Sequence, residues 1–550
     1  MKFKNLQTQL IAIFAIAGGF TLHAQNYQLE MVKDINPNGH SWPYGMTEYN
    51  GKLYFEAYEA NSGNELWVTD GTTSGTTIVK DINPNGSSSP RRFTLYNNKL
   101  YFRADDGTNG NELWQTDGTG TGTILFKDIN TSPYVNDGNS APYAFTVYNN
   151  HLYFRAFNST NGTELWVTDG TTAGTIMLKD INPGNSSGFS ANYIDYAEYN
   201  GKLYFAADDG TNGRELWVTD GTSNGTQMLK DINPNGDSDA GGFTEYNGKL
   251  YFYASNGTNG RELWVTDGTH SGTQMLKDIN PNGNAYPGYF TVYNNELYFS
   301  ADGGDQQVGR GLWKTDGTTS GTVLVSSLDF QGGAHNPQDL IVFNGILYFS
   351  AGDEYDGQDL WRSNGTLSGT YQVKNINTAN YQGSDPKYFR IYDGRLYFTA
   401  EDGSNGNELW VTDGTNAGTV KIQPAIATSN DPLGENPSFA TLNGSLYFTA
   451  NFDSNGYELW KLTTQNLSTE TVEHKNILKA YPNPVNNILN LSSQETINNV
   501  LIVDMLGKTV YQNNFNTNEL NIDISNLQEG IYFVQVSSGK QLQTIKIIKK

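Results

Sequence analysis

Glu112-Leu113-Trp114-Gln115-Thr116-Asp117-Gly118-Thr119-Gly120-Thr121-Gly122-Thr123 is the stretch whose reading decides the fold. A short strand runs into a tight turn, and the Glu-Leu-Trp strand, or a near copy, returns at Trp67, Trp114, Trp166, Trp217, Trp264, Trp313, Trp361, Trp410 and Trp460. Successive tryptophans are 47, 52, 51, 47, 49, 48, 49 and 50 residues apart. A period near 49 with four strands per unit is what a propeller blade needs.

The unit at 90–130 shows the four strands. Phe93 to Tyr96 is the first, Lys99 to Ala104 the second, Glu112 to Thr116 the third and Ile124 to Ile129 the fourth. The first turn is Asn-Gly, Asn-Asn or Asp-Gly in every unit, from Asn50-Gly51 to Asn443-Gly444. Both central residues of a type I′ turn need positive φ, and these pairs tolerate it, so a hairpin is expected nine times. In the Asp-Gly-Thr connection the Asp side chain caps backbone N–H groups and Gly takes the left-handed position. Leu-Tyr-Phe and Leu-Trp-Val do not alternate apolar with polar, which indicates sheets covered on both faces.

The ends of the array complement each other. Leu29 to Asn36 reads as a fourth strand with no blade before it, and the last unit, ending at Leu459-Trp460-Lys461, lacks a fourth strand. The expectation is an all-β chain with a single β-propeller of about nine four-stranded blades over 26–463, closed by the N-terminal strand. No linker interrupts the period, so two smaller rings are not expected, and closure leaves no sheet edge unpaired.

Both ends carry signals of another kind. Lys2 and Lys4, an apolar run from Leu10 to Phe20 and Leu22-His23-Ala24 form a signal-peptide pattern over 1–24, with cleavage expected between Ala24 and Gln25. The apolar run is too short for a comfortable membrane span. Residues 464–475 read as a polar linker. From 476 to 550 alternating strands (Ile488 to Leu491, Val500 to Asp504, Leu520 to Ile524, Ile531 to Val536, Leu542 to Ile548) predict a small C-terminal β-sandwich.

Tyr481-Pro482-Asn483-Pro484, the turn Asp504-Met505-Leu506-Gly507-Lys508, the turn ending at Gly530 with Ile531-Tyr532-Phe533-Val534 after it, and the closing Lys546-Ile547-Ile548-Lys549-Lys550 resemble the type A sorting domain of the type IX secretion system of Bacteroidetes. The resemblance implies passage across the periplasm and outer membrane by that machinery, removal of the domain, and a product released or held at the cell surface. The repeat over 29–463 resembles the ELWxxDGTxxGT repeat proteins of exported bacterial chains, departing from the pattern at Gly311, Asp359 and Asn364. That family implies architecture and no established chemistry.

Among 550 residues there are 60 glycines, aromatics make up 13 % and charged residues only 17 %, which suits short strands and tight turns. A formal charge of −23 disfavours nucleic acid and anionic membranes as partners. The chain has no cysteine, and His23, His40, His151, His270, His335 and His474 share no metal-ligand spacing. No cofactor is expected. Calcium is the one metal to consider, because Asp105 to Gly110 and Asp208 to Gly213 cluster oxygen donors, but Asp-Gly-Asn-Gly is also ordinary turn chemistry.

No Ser-His-Asp set, phosphate loop or dinucleotide fingerprint is present. The Glu of Glu-Leu-Trp recurs in seven of nine units, whereas an active site needs one asymmetric carboxylate pair, so it is expected to hydrogen-bond a neighbouring loop. Binding is expected on the variable rim, formed by the second-to-third strand loops and the blade connections at 87–92, 131–143, 183–193, 329–338 and 424–437. Trp42, Tyr44, Tyr134, Tyr143, Phe189, Tyr193, Tyr286 and Tyr289 lie there. An exported non-catalytic propeller that binds a polysaccharide or protein is the leading reading. The alternatives are a glycan hydrolase or lyase and an adhesion or surface-coat component.

Overall fold

The computed structural model describes residues 26–131, 138–190, 195–304, 309–326, 335–353, 357–378, 383–404, 406–424, 431–453, 455–465, 478–504, 508–538 and 541–550. The expected leader with Ala24 and Gln25, most of the linker, Tyr134, Tyr193 and Gly507 lie outside them. The chain divides into two compact units, one spanning Tyr27–Thr464 and one containing Gln465–Lys550.

The first unit is propeller-like and almost wholly β. Strand β1 (Asn26–Lys33) is followed by β2 (Tyr44–Tyr49), β3 (Lys52–Glu59), β4 (Gly63–Thr69) and β5 (Thr77–Lys80). Strands β2 to β5 form one antiparallel four-stranded sheet in chain order, and the pattern repeats along the chain. Among the described residues nine such sheets occur. The last has the order β1, Glu458–Gln465, Ser445–Ala450, Phe439–Leu442, so its outer strand comes from the N-terminus. That third strand reaches Gln465, so Thr464 and Gln465 lie on the sheet and not in the expected linker. Likewise β1 begins and ends about three residues before the expected 29–36.

The turn residues adopt the conformation their chemistry favours. Both central residues of all nine first turns have positive φ, from Asn50 (50°) and Gly51 (71°) to Asn443 (48°) and Gly444 (73°). In the second turn Asp117 Oδ1 accepts from Thr119 N at 2.9 Å and from its hydroxyl at 2.7 Å, while Gly118 sits at φ 93°. A Cβ on Gly118 would collide with the Tyr54 hydroxyl of the preceding sheet, so this glycine serves both turn and packing.

Each sheet buries both faces against its neighbours. Leu53, Tyr54, Phe55 and Ala57 of β3 are all buried, as are Leu66 and Trp67 of β4. Apolar clusters join consecutive sheets: Tyr49, Tyr54, Leu66 and Val68 pack on Leu100, Phe102 and Trp114. One further cluster joins Leu53, Phe55 and Trp67 of the first sheet to Leu442, Tyr447 and Leu459 of the last, with Val32 and Ile35 between them.

Two polar latches repeat beside these clusters. Lys80 donates to Thr123 O at 2.8 Å and lies 5.9 Å from the Trp114 ring of the next sheet. Tyr49 donates its hydroxyl to Asn98 O, in the next sheet's first turn, at 2.7 Å.

The C-terminal unit hydrogen-bonds as one five-stranded sheet. Its order is Leu478–Tyr481, Ile488–Asp504, Gly530–Ser538, Gln541–Lys549, with Thr509–Asp523 also paired to Ile488–Asp504. The expected sandwich strands at 488–491 and 500–504 are two ends of one 17-residue strand, whose pairing is irregular between Ser492 and Asn499. Polar Ser492-Ser493-Gln494-Glu495 breaks the apolar alternation there, which is why the sequence reads as two strands. Leu489, Leu491, Val500, Ile502, Ile522, Val534, Val536 and Ile547 form its core.

Candidate ligand-binding rim

The repeated Glu fixes the loops of the variable rim. Glu65 Oε2 accepts from Ile82 N at 2.8 Å and Ser88 Oγ at 2.6 Å, and Oε1 accepts from Ser88 N at 2.9 Å. Both partners lie on the connection to the next sheet. Glu112 binds Ile129 N and Ser140, Glu215 binds Ile232 N and Ser238, and Glu262 binds Ile279 N and Ala285 N in the same way. Asp359 stands in for Glu in one unit and is bonded by Ser384 Oγ. Burial pushes the carboxyls of Glu112, Glu164, Glu215, Glu262 and Glu458 up to about 7, against the hydrogen bonds that pull them down. These groups are loop anchors, as their recurrence implies.

Three positions per unit differ from sheet to sheet and share this end of the strands. The first lies at the start of the first strand, the second follows Leu-Tyr-Phe, and the third precedes Glu-Leu-Trp. At the first position the chain bulges through a left-handed residue, as at Gly45 (φ 71°), Arg92 (63°), Ala144 (53°), Tyr289 (57°) and Tyr388 (56°). Seven of the ten arginines occupy these positions: Arg91, Arg92, Arg103, Arg155, Arg214, Arg261 and Arg310. Most are engaged. Arg91 pairs with Glu56 at 2.8 Å, Arg214 and Arg261 share Asp239, and Arg310 donates to Ser300 Oγ at 2.7 Å. Arg155 is buried over the Phe189 ring at 4.3 Å and the Tyr196 ring at 4.7 Å.

The expected rim aromatics divide by environment. Trp42 and Tyr44 are 49 % and 47 % exposed, and Tyr286 and Tyr289 are similarly open. Tyr143 is partly buried and Phe189 is core. Trp42 stacks on Tyr457 with centroids 4.0 Å apart. A cleft of about 490 Å³ lies here, lined by Trp42, Tyr44, Glu56, Arg91, Glu435 and Tyr457, where the first and last sheets meet. A second of about 420 Å³ is lined by Arg92, Tyr143, Thr146, Asp195 and Tyr196, and a third of about 450 Å³ by Asp339, Lys387, Tyr388 and Arg390.

Sequence reading missed Tyr457, Tyr388 and the arginines, although their register beside the recurring Leu-Tyr-Phe and Glu-Leu-Trp strands would have found them. The loops considered for calcium use their carboxylates internally: Asp106 Oδ1 accepts from Thr108 N and Asn109 N, and Oδ2 from Asn109 Nδ2 at 2.8 Å. Asp209 is bonded alike by Thr211 and Asn212. Among the described residues no group of three or more His, Cys, Asp or Glu is placed to hold a metal.

Of the expected sorting residues, Tyr481 ends the first strand of the C-terminal unit, and Asn483 donates to Lys546 O and accepts from Ile548 N, both at 2.9 Å. The bonds between Tyr481 and Pro482 and between Asn483 and Pro484 are cis. Asp504 Oδ1 accepts from Lys508 N at 2.9 Å, Gly530 opens the next strand, and Tyr532 donates to Gln528 O at 2.9 Å.

Residues 479–550 match the secretion system C-terminal sorting domain family. A sorting domain of this kind marks export to the cell surface or the medium and implies the type IX machinery as partner. No helix among the described residues is long and apolar enough to cross a membrane. No curated protein matches the chain. Among solved structures, the chain is similar to PorZ of Porphyromonas gingivalis, a surface component of the type IX secretion system, at 14 % identity and a TM-score of 0.34, over 92 % of this chain and 75 % of that one. A prolyl endopeptidase matches at 7 % identity and a TM-score of 0.39, over 74 % and 55 %. A puromycin-hydrolyzing peptidase of Mycobacterium tuberculosis matches at 9 % identity and a TM-score of 0.35, over 67 % and 59 %.

Proposed function

We propose that this chain is an exported, non-catalytic propeller of the ELWxxDGTxxGT repeat type that binds an extracellular or cell-surface ligand, a polysaccharide or protein, on its variable rim. In this reading nine blades close into one ring through the N-terminal strand. Support comes from the sheet that joins β1 to Glu458–Gln465 and from the apolar cluster shared by the first and last sheets. The leader is cut between Ala24 and Gln25, and Tyr481 to Pro484, Asp504, Gly507, Lys508, Gly530 and Tyr532 form the sorting signal.

The observation that carries the binding reading is the cleft at the meeting of the first and last sheets. Its half-exposed Trp42 and Tyr44 sit on a frame anchored by Glu458 and backed by Tyr457. Flat aromatic faces held rigid beside polar groups suit sugar rings. The same cleft holds the carboxylates of Glu56 and Glu435, which keep a hydrolase or lyase as the second reading. Yet Glu56 is gripped by Arg91 through two hydrogen bonds, at 2.8 and 3.3 Å, and is not poised as a free acid or base.

Affinity electrophoresis of the secreted protein against a panel of polysaccharides tests this, with released sugar scored in the same lanes. Retention without product is expected, and weakening by W42A. Released product would overturn the non-catalytic reading.

A further inference from the structure

We infer that Arg91, Arg92 and Arg103, at the bulge of the second sheet, form an anion-binding subsite for an acidic polysaccharide whose sugars carry carboxylate or sulfate groups. The inference rests on the binding reading above and specifies the ligand's charge.

The argument starts from register. Arg91 lies directly opposite Arg103 across the first two strands of this sheet. The corresponding pairs elsewhere are Tyr44 with Glu56, Tyr143 with Arg155, Gly241 with Tyr253, Gly288 with Ser300, Gln338 with Ser350 and Lys387 with Thr399. Among these described pairs only the second sheet opposes two like charges, which is unfavourable without a counter-ion. The bulge then adds Arg92 beside them, in a left-handed conformation that a bulky residue adopts at a cost.

Counter-charge is short. Glu56 serves Arg91. Arg92 is exposed, and its guanidinium makes no hydrogen bond or ion pair among the described residues, only its carbonyl accepting from the Thr94 hydroxyl. Arg103 is partly buried, and its Nε is buried with no partner. Burial and the neighbouring Arg92 and Arg91 push its pKa down. Three guanidiniums therefore share one directly paired carboxylate, Glu56, while Glu435 lines the Arg91 cleft and Asp195, bonded by Gly242 N at 2.9 Å, lines the Arg92 cleft. An anion reaching this place would gain charge-assisted, fork-shaped hydrogen bonds that the protein itself leaves unmade.

The surroundings favour a glycan. Arg91 lines the 490 Å³ cleft and Arg92 the 420 Å³ cleft, so the bulge stands between the two. The Arg91 guanidinium also lies 5.8 Å from the Tyr44 ring. A chain of sugars stacked on Trp42 and Tyr44 would carry its acidic substituents to the arginines.

The test uses the full secreted chain, with polygalacturonate, its fully methyl-esterified form, dextran sulfate and unmodified dextran as probes. Retention by polygalacturonate is expected to exceed that by the ester at least tenfold and to fall with salt. R92A and R103M are each expected to lose about tenfold, as one charge-assisted bond implies, while R395A on the opposite rim retains wild-type binding. A stronger response to dextran sulfate than to polygalacturonate would assign sulfate in place of carboxylate within the same subsite. A second readout separates binding from folding. R103M, freed of repulsion and of a buried unpaired Nε, should melt at or above the wild-type temperature, and at one concentration polygalacturonate should raise the melting point of wild type more than that of R103M. Equal retention of ester and acid, or wild-type binding by R92A and R103M, overturns the subsite and leaves rim binding standing. Retention by none of the glycans overturns both.

Discussion

Ile35 donates its backbone N–H to Oε2 of Glu458 at 2.8 Å, across 423 residues of chain. Glu458 also accepts from Ser41 N at 3.1 Å and Ser41 Oγ at 2.6 Å. The same three-point grip that Glu65 applies to its own connection is here applied by the last repeat to the first residues of the array. It is the anchor that a local repeat and a distant chain end share.

E458A should therefore destabilise the first unit by about 1–3 kcal/mol, because the buried Ile35 N–H loses its acceptor and Ser41 keeps only Tyr457 O, at 3.0 Å from its N–H. Chemical denaturation measures it. Deleting 26–33 should do more, exposing the edge of Glu458–Gln465 and promoting aggregation visible by size-exclusion chromatography.

The buried glutamates predict a pH dependence of unusual sign. Their folded pKa of about 7 lies above the ordinary value of 4.5. The folded state then binds more protons than the unfolded between those values, so this contribution is full below 4.5 and is lost as pH rises through 7. The turn aspartates Asp70, Asp117, Asp220 and Asp267 are shifted down by their Thr partners, so theirs persists above 3.8 and is lost only in stronger acid. Thermal melts should peak near pH 5 and decline toward pH 8. A flat profile between 5 and 8 would contradict the burial-driven shift.

Tyr293 and Tyr392 donate to Gly345 O and Gly444 O in the first turns of the following sheets, at 3.0 and 2.7 Å. Between them, Phe343 occupies the equivalent place without a hydroxyl, 2 % exposed. F343Y should supply the missing bond to Gly394 O and stabilise by about 1 kcal/mol, and Y246F, which removes the bond from the Tyr246 hydroxyl to Asn295 O, should cost a similar amount. Urea titrations of the two variants would show opposite shifts in midpoint.

The lysine latch should matter more than a surface cation ordinarily does. K80A removes the bond to Thr123 O and the contact with Trp114, and should cost about 1–2 kcal/mol. A cost below 0.5 kcal/mol on denaturation would show that packing alone joins the sheets.

What was legible in the sequence was what repeats. Asn-Gly and Asn-Asn dictate positive φ locally, so the hairpins followed from dipeptides alone, and the recurrence of Glu65 and its copies pointed to a structural partner. The rim was less legible because its residues differ from sheet to sheet. Arg92, Tyr289 and Tyr388 adopt left-handed φ that their own propensities disfavour, imposed by a bulge whose cause is tertiary. The pairing of Arg91 with Arg103 depends on strand register, which a one-residue slip would abolish. In the C-terminal unit, Ser492 to Asn499 continues a strand that local polarity would end.

The placement of β1 beside Glu458–Gln465 bears on survival outside the cell, where peptidases abound. A single cut in an exposed connection, such as that around Ser87, would divide the chain without dividing the protein. The N-terminal fragment would still be stitched into the last sheet by β1, and the cut ends would stay packed between their neighbours. Nicking becomes a scar that a denaturing gel records and a native one does not. The same arrangement lets the chain begin at other connections, so a circular permutant opened at Ser87, with its old ends joined, should keep every sheet intact.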